Sequence, residues 1–270
     1  MNELLHDRVR LQISGGIAQV TLSRPDKVNA LDAGMFAGTF EAQARLASRK
    51  DVRVVILAGE GRGFCSGLDF PAFMANQMGP ESEKIDIFGR IAGNPANVAQ
   101  RMGYGWRALP MPVIAALHGP VFGGGIQIAL GADIRLAAPD TRLSVMEIKW
   151  GLIPDMSITQ TLREVVRGDV ARELTYTGRI VEAPEALALG LVTRVVDQVQ
   201  AAALELATTI AGKSPDAIRA AKQLYNESWY APAGEGMQLE EKLQRQILGQ
   251  ANQMEAVAAN FEKRSPVFSD

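Results

Sequence analysis

Pro112-Val113-Ile114-Ala115-Ala116-Leu117, then His118-Gly119, then Val121-Phe122-Gly123-Gly124-Gly125 leading into Ile126-Gln127-Ile128-Ala129-Leu130, is the stretch on which the fold turns. The first run is uncharged, short and bounded by proline and glycine, which reads as a strand buried on both faces. Three consecutive glycines then let the backbone turn where a Cβ would collide. The apolar residues beyond them predict a helix. The same order occurs upstream, where the apolar strand Val52–Ala58 gives way to the glycine-rich turn Gly59–Gly63 and the junction Gly63-Phe64-Cys65-Ser66-Gly67-Leu68-Asp69. Strands that end on glycine and alternate with helices are the units of an α/β core.

Working outward, Val9–Ile13 and Ile17–Leu22 flank Ser14-Gly15-Gly16 and predict a hairpin. Asp32 stands where it can cap a helix running to Ser48, with Met35, Phe36, Phe40 and Leu46 at helical spacing. Asp133–Ala137, Arg142–Ser144 and Leu191–Val196 read as strands. Helices are expected near Ser157–Val166, Asp169–Thr175, Pro184–Leu189, Gln198–Gly212, Pro215–Glu227, Gly234–Gln250 and Asn252–Lys263. Phe70–Trp106 shows no sustained period, with a helix expected only at Glu83–Arg90, and reads as a surface insertion or a substrate-covering segment. The expected organisation is an α/β core over residues 1–196 and a helical C-terminal region over 197–270.

The 270 residues carry 28 basic and 30 acidic side chains, a net charge of -2, and are 47% hydrophobic. That length buries one large core, and the near-balanced charge gives no reason to expect nucleic acid as a bulk partner. A single cysteine, Cys65, excludes an internal disulfide framework, and with only His6 and His118 no metal cluster is expected. Met1–Arg10 lacks an apolar run, and no stretch reaches transmembrane length, so a cytoplasmic enzyme without membrane contact is the expectation.

The chemistry concentrates at the two junctions. Glycine lets backbone amides turn toward a ligand, and two such donors converging on one oxygen make an oxyanion hole, worth about 3–4 kcal/mol per donor. A carboxylate follows in Ser144-Val145-Met146-Glu147-Ile148-Lys149-Trp150-Gly151. Its apolar neighbours favour a desolvated position and a raised pKa, as proton shuttling needs. Asp155 follows eight residues later, just after Pro154. Two carboxylates beside one acyl chain can remove a proton at one carbon and deliver it at another. Each residue also has a plainer reading: Glu147 paired with Lys149 or Arg142, and Asp155 capping the helix near Ser157.

The ordered set Arg24-Pro25…Asn29-Ala30-Leu31, Phe64-Cys65-Ser66-Gly67…Asp69, His118-Gly119…Gly123-Gly124-Gly125 and Glu147…Gly151-Leu152-Ile153-Pro154 resembles the crotonase (enoyl-CoA hydratase/isomerase) superfamily over effectively the whole chain. The resemblance implies a crotonase/ClpP-like ββα superhelix with a helical C-terminal trimerisation region, assembled as a trimer or a dimer of trimers. It implies an acyl-CoA thioester substrate, coenzyme A as part of that substrate, no separate cofactor, and a place in fatty acid metabolism. Matched to the motif, the amides of Ser66 and Gly124 would be the oxyanion donors. Lys27, Arg24, Val28, Ala30, Gly67, Leu68, Asp69, Phe70, Phe122, Gly123, Gln127, Pro154, Phe261 and Lys263 would surround the CoA ester.

One position departs from the hydratases of that superfamily, which use two glutamates. The second matches Glu147, whereas the first is Gln127 here, and an amide does not accept and return a proton at neutral pH. Glu147 with Asp155 instead resembles two of the three acids of the dienoyl-CoA isomerases, whose third also stands at the Gln127 position. The expected activity is therefore double-bond isomerisation of an enoyl- or dienoyl-CoA. The alternatives are hydration with Glu147 as sole acid/base, thioester hydrolysis by Ser66 or Cys65 with His118 as base, and acyl-CoA binding without catalysis.

Overall fold

The computed structural model describes residues 1–78 and 86–270. Strands β1 (Asn2–Leu5), β2 (Val9–Ser14) and β3 (Ile17–Leu22) form an antiparallel meander, the last two joined through Gly15 and Gly16 at positive φ. The hairpin is the expected one. The additional strand β1 is exposed except at Leu5, which is buried in the core, and pairing with β2 makes it a strand. Helix α1 (Ala33–Ala47) starts at Asp32, whose Oδ1 accepts from Met35 N at 2.9 Å.

From β3 onward the sheet is parallel: β4 (Val54–Gly59), β5 (Val113–Leu117), β7 (Ile134–Ala137) and β10 (Arg194–Val195) follow in the order β1-β2-β3-β4-β5-β7-β10. A smaller sheet holds β6 (Pro120–Phe122), β8 (Arg142–Ser144) and β9 (Val181–Glu182). Alternation along β4 and β5 explains their unbroken apolar sequence. Val55, Leu57, Val113, Ala115 and Leu117 face the main core, while Val54, Ile56, Ala58, Ile114 and Ala116 face α8 (Val199–Ala211). Fully buried Ala203 and Ala207 let that helix approach the sheet closely. Helix α8 thus covers the sheet itself, although it lies beyond residue 196.

Between β4 and β5 the sequence reading missed two helices, α2 (Phe70–Met78) and α3 (Val98–Arg107). Glycines at 103 and 105 obscure α3. Each admits a close neighbour: a methyl group on Gly103 would lie 2.6 Å from Met156 O, and one on Gly105 would lie on the Gln43 side chain. Asn97 and Gln100 form a capping box at its start. Of the helix expected at Glu83–Arg90, residues 83–85 lie outside the described residues, and 86–90 form a turn followed by a bridge to Asn97.

After β5 come α4 (Gly124–Leu130), the short α5 (Ile158–Thr161), α6 (Gly168–Thr177) and α7 (Ala183–Leu189). The helix expected over Ser157–Val166 is cut short, giving way to a 3-10 turn at Leu162–Glu164. The chain ends in α9 (Pro215–Ser228), α10 (Ala233–Ile247) and α11 (Ala251–Glu262). No helix among the described residues is long and apolar enough to cross a membrane.

Candidate active site

Asn29 builds the first junction. It is fully buried, with a left-handed backbone at φ 54. Its Nδ2 donates to the carbonyls of Glu60, Gly63 and Phe64 at 2.9–3.0 Å, and its Oδ1 accepts from Arg24 N at 2.8 Å. One side chain thereby binds the turn after β3 to the loop after β4. Val28, also left-handed, presents its carbonyl to Ser66 N at 2.9 Å.

That bond corrects the expectation for Ser66. Its amide is committed to Val28 and is not free to hold a substrate oxygen. The available amide is that of Leu68. Leu31 N donates to Gly67 O at 2.8 Å and Asp69 N donates to Leu31 O at 3.0 Å, so Leu68 directs its own N–H away from Leu31. Leu68 N has no acceptor among the described residues.

The second junction meets the first backbone to backbone. Gly123, at φ 53, donates to Ser144 O at 2.9 Å and opens α4, leaving Gly124 N without an acceptor among the described residues. A methyl group on Gly67 would lie 2.8 Å from Phe122 O and 3.4 Å from Gly124 N. On Gly125 it would lie on Cys65 O. The glycines at 67 and 125 are therefore required by contact between the two junctions, and that contact sets Gly67, the residue before Leu68, against Gly124 N.

Glu147 opens a 3-10 turn, Glu147–Trp150, immediately after β8, and its Oε1 lies 3.5 Å from where a Gly123 methyl would be. Its Oε1 accepts from Gln127 Nε2 at 2.6 Å, and its Oε2 is buried with no partner among the described residues. Burial pushes its pKa above the usual carboxylate value, and the nearby Asp155 charge adds to this, against the hydrogen bond from Gln127. Asp155 is half-buried and is also pushed up, by burial. Neither plainer reading holds. Among the described residues Glu147 makes no ion pair with Lys149 or Arg142, and α5 has Ser157 at its cap with no side-chain bond.

A cavity of about 260 Å³ lies beside Leu68, lined mainly by Leu31, Phe36, Ala72, Phe73 and Ile87, with Asp32 and Asn76 as its polar members. Phe73 lines this cavity, whereas Trp106 is buried core and Met74 and Met78 are exposed. Phe70, on α2, stacks on Trp150 with ring centroids 4.3 Å apart, joining α2 to the Glu147 turn. A larger cavity of about 640 Å³ lies among α9, α10 and α11 and touches neither junction, nor Glu147, nor Asp155.

A sequence profile described as Enoyl-CoA hydratase/isomerase matches residues 12–270. The (E)-benzylidenesuccinyl-CoA hydratase of Thauera aromatica is 31% identical over 263 residues, 96% of this chain and 98% of that one. The chain belongs to the enoyl-CoA hydratase/isomerase family. The Bacillus subtilis protein YngF, named for the same family, is 32% identical over 255 residues, 93% of this chain and 94% of its own. Among solved structures, an enoyl-CoA hydratase/carnithine racemase from Magnetospirillum magneticum matches at TM-score 0.85 with 33% identity, covering 99% of this chain and 97% of that one. The enoyl-CoA hydratase of Mycobacterium tuberculosis H37Rv matches at TM-score 0.85 with 27% identity, covering 97% and 98%.

Within this family frame the remaining expected residues separate into two groups. Val28 and Ala30 lie in the turn after β3, and Gly67, Leu68, Asp69, Phe70, Phe122, Gly123, Gln127 and Pro154 belong to the two junctions, the helices they open or the turn before Asp155. Arg24 is held in place by its Nη1, which contacts Asp69 at 2.8 Å, Ala30 O at 3.1 Å and Asp32 at 3.4 Å. Burial pushes Asp69 up, but the Ala72 N–H and Arg24 outweigh it, and its carboxyl sits below the usual range. Lys27 is exposed on the adjacent turn. Phe261 and Lys263 lie at the exposed end of α11, and among the described residues no hydrogen bond or ring contact joins them to the junctions.

The geometry also disfavours hydrolysis through a nucleophile. Cys65 is buried, donates to Asn29 O, and burial pushes its thiol up to about 12. Ser66 Oγ donates to Lys27 O at 3.2 Å, and His118 Nε2 lies 2.8 Å from Gly61 O, so no base–nucleophile contact forms among them. Two residues that the sequence reading assigned no structural or chemical role are Asn29, present there only as part of a motif, and Met156. The first is signalled by its place before Ala30-Leu31; nothing in sequence signals the second.

Proposed function

We propose that the protein isomerises the double bond of an enoyl- or dienoyl-CoA thioester by proton transfer through an enolate. The amides of Leu68 and Gly124 hold the thioester oxygen, and charge that develops on it is stabilised by donors already in place. Glu147 and Asp155 serve as the acid/base pair, one taking a proton near the thioester and the other delivering one farther along the chain. CoA enters as part of the substrate, with Lys27 beside its phosphates and the acyl chain in the cavity beside Leu68.

The observation that carries this reading is the pair itself. Glu147 and Asp155 are both partly buried and both pushed above the usual carboxylate range by burial, with the Asp155 charge adding to Glu147, while the neighbouring amide Gln127 is not an acid. Self-association into a trimer or dimer of trimers belongs to the same reading, supported by the large apolar side chains Trp150, Ile153 and Phe261 left exposed on one chain.

Hydration of a 2-enoyl-CoA by Glu147 alone is the second reading, favoured by relatives that carry the name hydratase. Mixing the protein with a 3,5-dienoyl-CoA and following the conjugated 2,4-dienoyl absorbance separates the two. Isomerisation predicts growth of that band. Absence of turnover across chain lengths, with rapid hydration of a 2-enoyl-CoA, would overturn it.

A further inference from the structure

Gln127 lies on α4 one turn beyond Gly123, buried to 1% exposure, and is fixed at both ends. Its Oε1 accepts from Met156 N at 2.7 Å, and its Nε2 donates to Glu147 Oε1 at 2.6 Å. The two ends of an amide are chemically distinct, since the oxygen only accepts and the nitrogen only donates. A backbone N–H can only donate, so Met156 holds the oxygen end and leaves the NH2 facing Glu147. The reversed orientation would set two donors against each other and a carbonyl against a carboxylate in a buried site, leaving four groups unpaired. Met156 directly follows Asp155, so one side chain links the Glu147 carboxylate to the turn that carries the other acid.

We propose that Gln127 is a positioning residue that holds the Glu147 carboxylate through Oε1 and in register with the Asp155 turn; this rests on the proton-transfer reading above. Donation from Nε2 favours the ionised carboxylate and opposes the effects of burial and of the Asp155 charge. The other charged groups around Glu147 are already engaged. Lys149, on the same turn, lies over the Trp150 ring. Asp69, from the first junction, is paired with Arg24. On α6, Asp169 pairs with Arg167, Arg172 donates to Gly168 O, and Glu173 pairs with Arg179. Helix α4 brings no ionisable side chain.

Two variants separate the ends of the amide. Gln127→Glu keeps an acceptor for Met156 N and replaces the donor by a second carboxylate, whereas Gln127→Met removes both ends at similar volume. Glu147 is followed by carboxyl carbon-13 NMR titration of the free protein, its signal assigned by loss in Glu147→Gln. In parallel, kcat/KM for a 3,5-dienoyl-CoA is measured against pH. Because the base must be ionised, activity rises with pH through its titration, and loss of the donor moves that limb upward. The expected result for both variants is a Glu147 titration and an acidic limb at higher pH, kcat at pH 7 lower by at least tenfold, and KM within about threefold. If Gln127→Met does not fold, the isosteric Gln127→Glu carries the test. An unmoved titration and an unmoved limb in a folded variant would overturn the positioning role. A titration that moves, in a protein that neither isomerises dienoyl-CoA nor exchanges substrate protons with deuterated water, would support the Gln127 contact and overturn the proposed activity.

Discussion

Glu147 illustrates how a catalytic carboxylate costs stability. Burial raises its pKa in the folded chain above the value it has unfolded, so the unfolded state ionises first as pH rises. Stability is therefore lost through the window between the two values, and the loss persists above it. Glu147→Gln removes that cost while keeping an acceptor for Gln127 Nε2. The expected outcome at pH 7 is a gain of about 1 kcal/mol in thermal or urea unfolding, together with a fall of about 10²–10⁴ in kcat. The gain should vanish at pH values where both states are protonated; a variant less stable than the parent at pH 7 would contradict it. Glu147 was legible as a candidate because an acid among apolar residues is unusual in sequence. Gln127 was legible only as a missing acid, since its partners, Glu147 and Met156, lie 20 and 29 residues away.

At the scale of elements, the two junctions work because one backbone lies against another. Gly67 has φ +91, and an added methyl would lie 2.8 Å from Phe122 O and near Gly124 N. Gly151 also has positive φ, at +68, but open space around it. Gly67→Ala is therefore expected to destabilise by about 2–4 kcal/mol, adding a clash to backbone strain, and to lower kcat at least tenfold by moving the Gly124 amide. Gly151→Ala should cost only the strain, about 1 kcal/mol, with activity retained. Equal unfolding midpoints for the two variants would show that contact between the junctions does not matter. Glycine at 67 was readable as a turn in sequence, but which amide it frees was not. Ser66 and Leu68 lie only two apart, yet Ser66 N meets Val28 O while Leu68 N is turned away from Leu31.

For the whole molecule, α9 is anchored to the sheet through one buried ammonium. Lys222 Nζ donates to Asp133 Oδ2 at 2.8 Å, Met111 O at 2.9 Å and Trp106 O at 3.4 Å, tying a C-terminal helix to α3 and to the starts of β5 and β7. Lys222→Met leaves those acceptors without their donor, and a loss of about 2–4 kcal/mol is expected by urea unfolding. Below its melting temperature, kcat/KM should stay within twofold, because no site residue touches this anchor. The amino-acid sequence by itself determined the α/β alternation, the two glycine junctions and the carboxylates Glu147 and Asp155, because burial and turning leave their mark in local composition. Tertiary structure alone decided that Leu68 rather than Ser66 has a free amide, that Arg24 serves Asp69 and Asp32, that α3 is a helix despite its glycines, and that Gln127 bridges Glu147 to Met156. The physical reason is that a hydrogen bond is settled by what lies opposite, and in this chain the opposite partner is usually tens of residues away.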